Sequence, residues 1–310
     1  MISIVIGIIL LFFGAEALVR GSSRLAALFG IPPIVIGLTI VAFATSAPEL
    51  TVSLSAAMDG SSDVALGNVV GSNIVNIALI LGLTALIRPP TVHLNLIRRE
   101  IPFLVFVSAV GLGLVVLGTV SRGVGITLFL GLCVYLYFAV SSARRNPEDV
   151  GLDVPNTGDL PQWLCWVLIV GGLGVLVLGA RLFVVGAVGT ARDFGVSEAV
   201  IGLTIVAAGT SLPELATSVV AAIKRESDVA IGNIVGSSIF NILCILGLTA
   251  AALPLQATDV GLRDAAFMFG TALLLLPFAF SKQSISRGEG TVFLIIYGVY
   301  LYGLWPREAG

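Results

Sequence analysis

Apolar runs of about 17 to 25 residues, enough to cross a hydrocarbon core of ~30 Å as a helix, recur along the whole chain between short polar stretches. Ten runs are legible, over residues 2–19, 31–58, 64–87, 101–119, 123–142, 162–183, 195–223, 229–253, 264–281 and 290–306. The pattern predicts an all-α integral membrane protein of ten transmembrane helices. The first run lacks a basic cluster ahead of it and carries Glu16 inside, so it reads as a span and not as a secretory leader. A polar segment over 141–161, rich in Asp, Pro and Gly, reads as a short cytoplasmic linker. It divides the chain into five spans over 1–140 and five over 162–310.

Composition agrees. Charged residues are 11% of the 310 positions and the mean hydropathy is +1.08, whereas a soluble domain carries about 25% charge. The lipid bilayer is thus the chain's main partner. Eleven of the sixteen Lys and Arg, including Arg88, Arg98, Arg99, Arg144, Arg145, Lys224 and Arg225, follow odd-numbered spans. Basic loops stay in the cytoplasm. A multi-pass protein of the cell membrane with both termini extracytoplasmic is therefore expected.

The net charge of -2 offers no basic patch for nucleic acid. Cys133, Cys165 and Cys244 lie in apolar runs without paired spacing and read as space-filling. His93, the one histidine, sits in a basic loop and reads as solvated. With no His-Glu-x-x-His and no paired nucleophile and base, nothing points to an enzyme or a bound cofactor.

Shifting the chain by 165 residues lays Gly37–Glu49 on Gly202–Glu214 with ten of thirteen positions identical, and Asp63–Asn76 on Asp228–Asn241 with ten of fourteen. One gapless offset serving both blocks marks a duplication. Each half holds five spans, an odd number, so the second half enters the membrane from the opposite side and the repeats are inverted. Glu49 and Glu214 are then brought together near the midplane.

On a helix Ala42, Thr45, Ser46 and Glu49 share one face, as do Ala207, Thr210, Ser211 and Glu214. Pro48 and Pro213 precede the glutamates, remove a donor and break the second and seventh helices, which frees carbonyl oxygens nearby. Ser72 with Asn76, and Ser237 with Asn241, add oxygens one turn apart. This all-oxygen set suits Ca²⁺ or Na⁺ and disfavours zinc and copper. An ionised glutamate at mid-membrane costs at least ~2.5 kcal/mol, and the matching blocks contain no Lys or Arg. One divalent or two monovalent cations would neutralise the pair. For each Ser and Thr a bond to its own helix, and for the glycines close packing, are the competing readings. Asn68 and Asn233 recur at the same offset, where interhelical bonding, capping and cation contact are all open. Glu16 is matched by Arg181 and reads as a boundary or packing charge.

The Thr45-Ser46-x-Pro48-Glu49 and Thr210-Ser211-x-Pro213-Glu214 signatures, with Gly-Asn-x-x-Gly-Ser-x-x-x-Asn ending at Asn76 and at Asn241, resemble those of the cation/calcium exchanger superfamily, in particular its compact microbial sodium/calcium exchangers. The likeness spans essentially the whole chain. It implies an antiporter in which Glu49 and Glu214 with the carbonyls of Thr45 and Thr210 bind Ca²⁺. Sodium would share those groups and use flanking sites at Ala42, Ser46, Ser72, Ala207, Ser211 and Ser237, with Asn76 and Asn241 at the centre. It also implies sliding of the first and sixth spans and a net movement of charge per cycle. Asn241 stands where potassium-dependent relatives carry aspartate, which argues against potassium co-transport. A calcium/proton antiporter on the same fold is the main alternative and a passive cation channel the next. A monomer is compatible with this scheme, because both halves lie in one chain.

Overall fold

The computed structural model describes residues 2–145, 160–194, 207–258 and 260–304. Most of the expected linker, at 146–159, and the start of the seventh run, at 195–206, lie outside them. Within them the chain folds as helices α1 (Ile2–Phe29), α2 (Pro33–Thr45), α3 (Ala47–Met58), α4 (Ser62–Ile87), α5 (Leu96–Val116), α6 (Arg122–Arg145), α7 (Gln162–Asp193), α8 (Ala207–Gly209), α9 (Leu212–Ile223), α10 (Ser227–Ala252), α11 (Leu262–Lys282) and α12 (Arg287–Leu304). Two-residue strands β1 (Thr119–Val120) and β2 (Leu255–Gln256) pair antiparallel.

Among the described residues seven helices are long and apolar enough to cross a bilayer, and α2 with α3, bent by 44°, makes an eighth if the pair is one span. Ten were expected. The difference lies at α9, whose run begins outside the described residues, and at α12, which gives its first turn to Arg287 and Glu289. α1 and α7 run to Phe29 and Asp193, about ten residues beyond their apolar runs, because helical hydrogen bonding continues past the hydrocarbon.

The most extensive contact in the fold joins α1 to α7. Gly7, Gly14 and Gly21 on α1, and Gly172, Gly179 and Gly186 on α7, recur every seven residues and lie on one face of each helix. A Cβ at Gly14 would stand 2.8 Å from the Leu176 amide nitrogen, and one at Gly172 2.8 Å from Gly14 O. Gly7 meets Gly179 and Phe183, so the helices are antiparallel. Lipid provides no hydrophobic drive between helices, and small residues compensate by bringing backbones into van der Waals contact. The remaining core is a larger apolar cluster around α4, α5, α6, α10, α11 and α12 and a smaller one where α1 and α7 meet α9 through Leu18, Leu25, Leu176 and Ala221.

Pairs of contacts recur with the 165-residue offset exchanged between the halves. Gly82 abuts Gly290, and Gly125 abuts Gly247. Thr119 pairs with Gln256, and Thr91 bridges to Ser284. α10 is wholly buried and α4 largely so, which puts the two asparagine-bearing helices at the centre of the bundle.

Gly14→Leu should therefore cost about 1–3 kcal/mol through overpacking and lower the melting temperature in detergent. Gly174→Leu, where a Cβ meets nothing within 4 Å, should leave it unchanged; equal melting of both proteins would show that the α1–α7 contact is not sealed by backbone approach.

Candidate cation-binding site

α2 ends at Thr45 and α3 starts at Ala47, with Ser46 between them outside the helical region at φ -84° and ψ 4°. Ser211 repeats this at φ -87° and ψ 6° ahead of α9. Each proline is the second residue of the new helix, where an absent N–H costs nothing. The break therefore precedes the proline, and the single continuous face expected for Ala42, Thr45, Ser46 and Glu49 is bent at Ser46.

The break places Glu49 and Glu214 in the first turns of α3 and α9, where free N–H groups and the helix dipole favour negative charge. Ser-x-Pro-Glu has the spacing of a capping box, in which serine and glutamate satisfy the same helix end. Neither serine side chain caps its own helix here. Ser46 Oγ donates instead to Glu214 Oε1 at 2.9 Å, and Ser211 Oγ to Glu49 Oε1 at 3.1 Å. Each carboxylate is 1% exposed and is held by the other half of the chain.

Asn68 and Asn233 bracket the pair as interhelical ties. Asn68 Nδ2 donates to Glu49 O at 3.1 Å and Ser53 Oγ at 2.9 Å; Asn233 Nδ2 donates to Glu214 O at 3.4 Å and Ser218 Oγ at 3.0 Å. Ser53 and Ser218 were not anticipated, although they too match at the 165-residue offset. Asn76 and Asn241, each 1% exposed, stand at the openings of widened π-helical turns over Val75–Leu81 and Asn241–Leu246. Such turns cluster at functional sites because they displace backbone from the regular ladder.

Glu49 Oε2, Glu214 Oε2, Asn76 Oδ1 and Asn241 Oδ1 are buried acceptors with no hydrogen-bond partner among the described residues. Buried acceptor oxygens without donors are the kind of group that a hard cation can satisfy.

The other expected ligands divide. Thr45 Oγ1 donates to Asn233 Oδ1 at 3.1 Å and lies 3.4 Å from Ser237 Oγ, so these groups meet at the centre. Thr210 Oγ1 has no such partner. Ser72 Oγ donates to Asn68 O at 2.6 Å on its own helix, and Ala42 packs against Gly236. The side chain of Ala207 lies outside the described residues. Away from the centre, Glu16 forms an ion pair with Lys224, and His93 Nε2 lies 3.2 Å from Asp228 Oδ1 instead of standing in solvent alone.

The profile of the family described as sodium/calcium exchanger protein matches residues 1–141 and 164–305. The chain belongs to this family. It is a multi-pass membrane protein of a cation/calcium antiporter family, transporters and not enzymes, which needs no cofactor. The exchanger is 40% identical over 312 residues to the putative antiporter CaxA of Alkalimonas amylolytica, covering 98% of both chains. It is 30% identical to the sodium/calcium exchanger MaX1 of Methanosarcina acetivorans, with 97% of each covered. Its fold matches the solved sodium-calcium exchanger NCX_Mj, soaked with zero Na⁺ and Ca²⁺, with a TM-score of 0.83, 33% identity and 97% of each chain covered.

Asn233→Ala in this exchanger leaves Glu214 O and Ser218 Oγ without their donor. We expect a loss of about 1–3 kcal/mol in detergent unfolding. Asn73→Ala, which removes only a bond to Val69 O on its own helix, should cost less; the reverse order would show that Asn233 is not a tie between α9 and α10.

Proposed function

We propose that this chain is a secondary antiporter that exchanges sodium for calcium by alternating access, with an electrogenic cycle. Its ten spans form two inverted five-helix repeats, one over 1–140 and one over 162–310, joined by a cytoplasmic linker over 141–161, and both termini face outward. The exchanged contact pairs, such as Gly82 with Gly290 and Gly125 with Gly247, support the inverted repeat.

One observation carries the reading. Two carboxylates, each 1% exposed, are held by reciprocal serine donors with free acceptor oxygens left over. Two like charges in a low-dielectric site repel strongly, and a cation cancels that repulsion while satisfying the oxygens. Ca²⁺ would take Glu49, Glu214 and the carbonyls of Thr45 and Thr210. Sodium ions would divide among the same carboxylates and sites flanked by Ala42, Ser46, Ser72, Ala207, Ser211 and Ser237, around Asn76 and Asn241. One Ca²⁺ and the sodium ions then compete for one charge pair, which couples their movements. The serine hydroxyls keep each carboxylate aimed at the centre while ions exchange.

In reconstituted vesicles an outward sodium gradient should drive calcium uptake, and Glu49→Gln or Glu214→Gln should abolish it. Wild-type flux in either variant would overturn the assignment, and uptake driven by a pH gradient without sodium would assign the exchanger to proton coupling instead. Asn241→Asp adds a charge to a site balanced for two and should alter ion stoichiometry or potassium dependence, read by isotope flux under imposed gradients. Unchanged coupling would remove Asn241 from the central site.

A further inference from the structure

Glycines on the facing sides of α1 and α7 seal the two helices into one body along their length. Beside the apolar contact with α9, the helix carrying Glu214, an ion pair joins Glu16 on α1 to Lys224, directly after α9. Both side chains are 34% exposed.

The 165-residue offset carries Glu16 onto Arg181 of α7 and Lys224 back onto Asp59, directly after α3. The symmetry-equivalent contact would therefore join Arg181 to Asp59, again an acid and a base but with the charges exchanged between the α1–α7 pair and its neighbour. The offset is exact at this end of each half. Gly60, which follows Asp59, and Arg225, which follows Lys224, both take left-handed backbone, at φ 78° and 67°. In this conformation Asp59 and Arg181 are both exposed, and neither has a partner among the described residues.

The inner site is lopsided in the same sense. Thr45 Oγ1 meets Asn233 and Ser237, whereas Thr210 Oγ1 is buried without a hydrogen-bond partner among the described residues. At the centre and at the rim, a contact made by a residue of the first half is not made by its counterpart in the second.

Resting on the alternating-access reading above, we propose that Glu16–Lys224 and Asp59–Arg181 are two mutually exclusive ionic latches, each holding the α1–α7 pair in one of the two access states. In inverted repeats the second state is reached by exchanging the conformations of the halves. A contact that a residue of the first half makes with the second is then replaced by the contact its counterpart makes with the first. The exchange of charge prevents mispairing: Glu16 and Asp59 repel, as do Arg181 and Lys224. Glu16 and Arg181 sit on touching helices but are offset along the antiparallel pair, since Gly14 abuts Gly172 while Gly179 abuts Gly7. A half-exposed pair has a modest energy, which suits a latch that must open every cycle.

The test uses reducible bifunctional thiol cross-linking in vesicles, in a Cys133→Ser background because that thiol is exposed. The double variants E16C/K224C and D59C/R181C should each cross-link, each should stop calcium flux, and reduction should restore it. In a protein carrying all four cysteines, mass spectrometry should find either bridge in a molecule but never both. Glu16→Gln or Lys224→Gln should raise the yield of the 59–181 bridge about two- to five-fold, and the charge-swapped E16K/K224E should return it to the parent value. Absence of the 59–181 bridge, both bridges in one molecule, or a yield indifferent to Glu16 and Lys224 would each overturn the latch. Exclusive bridges in a protein that moves no calcium would keep the latch and discard the cargo assignment.

Discussion

Two acidic side chains buried side by side in the middle of an apolar protein are the constraint around which this molecule is built. Like charges in a medium of low dielectric repel, and neither Glu49 nor Glu214 has a basic residue within the blocks that hold it. The fold answers with polarity that carries no charge. Each glutamate sits in the first turn of a helix, takes a serine hydroxyl from the opposite half, and has its backbone carbonyl tied by an asparagine amide. These supports aim the carboxylates without neutralising them, so the remaining charge falls to whatever cation occupies the site. In the proposed exchange reading a hard cation supplies that missing charge.

The architecture around the site separates what must stay fixed from what can shift. α4 and α10, carrying Asn68, Asn76, Asn233 and Asn241, are enclosed by other helices and share the larger apolar cluster. α1 and α7 are bound closely to each other through glycines and touch the rest mainly at α9. Packing of that kind allows a paired body to shift against a rigid core without opening cavities within either, because the tightest contacts lie inside the units and not between them.

Much of this was legible in the residue order, and the limits are physical. Apolar runs gave the helices because a span must satisfy its own backbone, but not where α1 and α7 end, since a helix can continue into water. The offset repeat identified Glu49, Glu214, Asn76 and Asn241 because duplication preserves them in register. The proline before each glutamate pointed to a helix break, and the break is there; which helix ends the serine and glutamate serve was not written in the spacing. They serve opposite ones, since the bend at Ser46 turns its hydroxyl toward the other half. Asn68 and Asn233 could not be assigned from spacing, because their partners Ser53 and Ser218 lie on neighbouring helices.

The sequence by itself determined that the chain is helical and membrane-bound, that it is two copies of one unit, and that each copy contributes one costly carboxylate among oxygen donors. Those properties follow from composition, period and register, which are written along one dimension. Only the tertiary structure decided which hydroxyl meets which carboxylate, that Thr45 is engaged while Thr210 is not, and that Glu16 pairs with Lys224 while Asp59 and Arg181 stand apart. Those choices depend on how two halves that repeat the same site blocks come to differ in conformation, and a repeat that treats its copies alike carries no record of that difference.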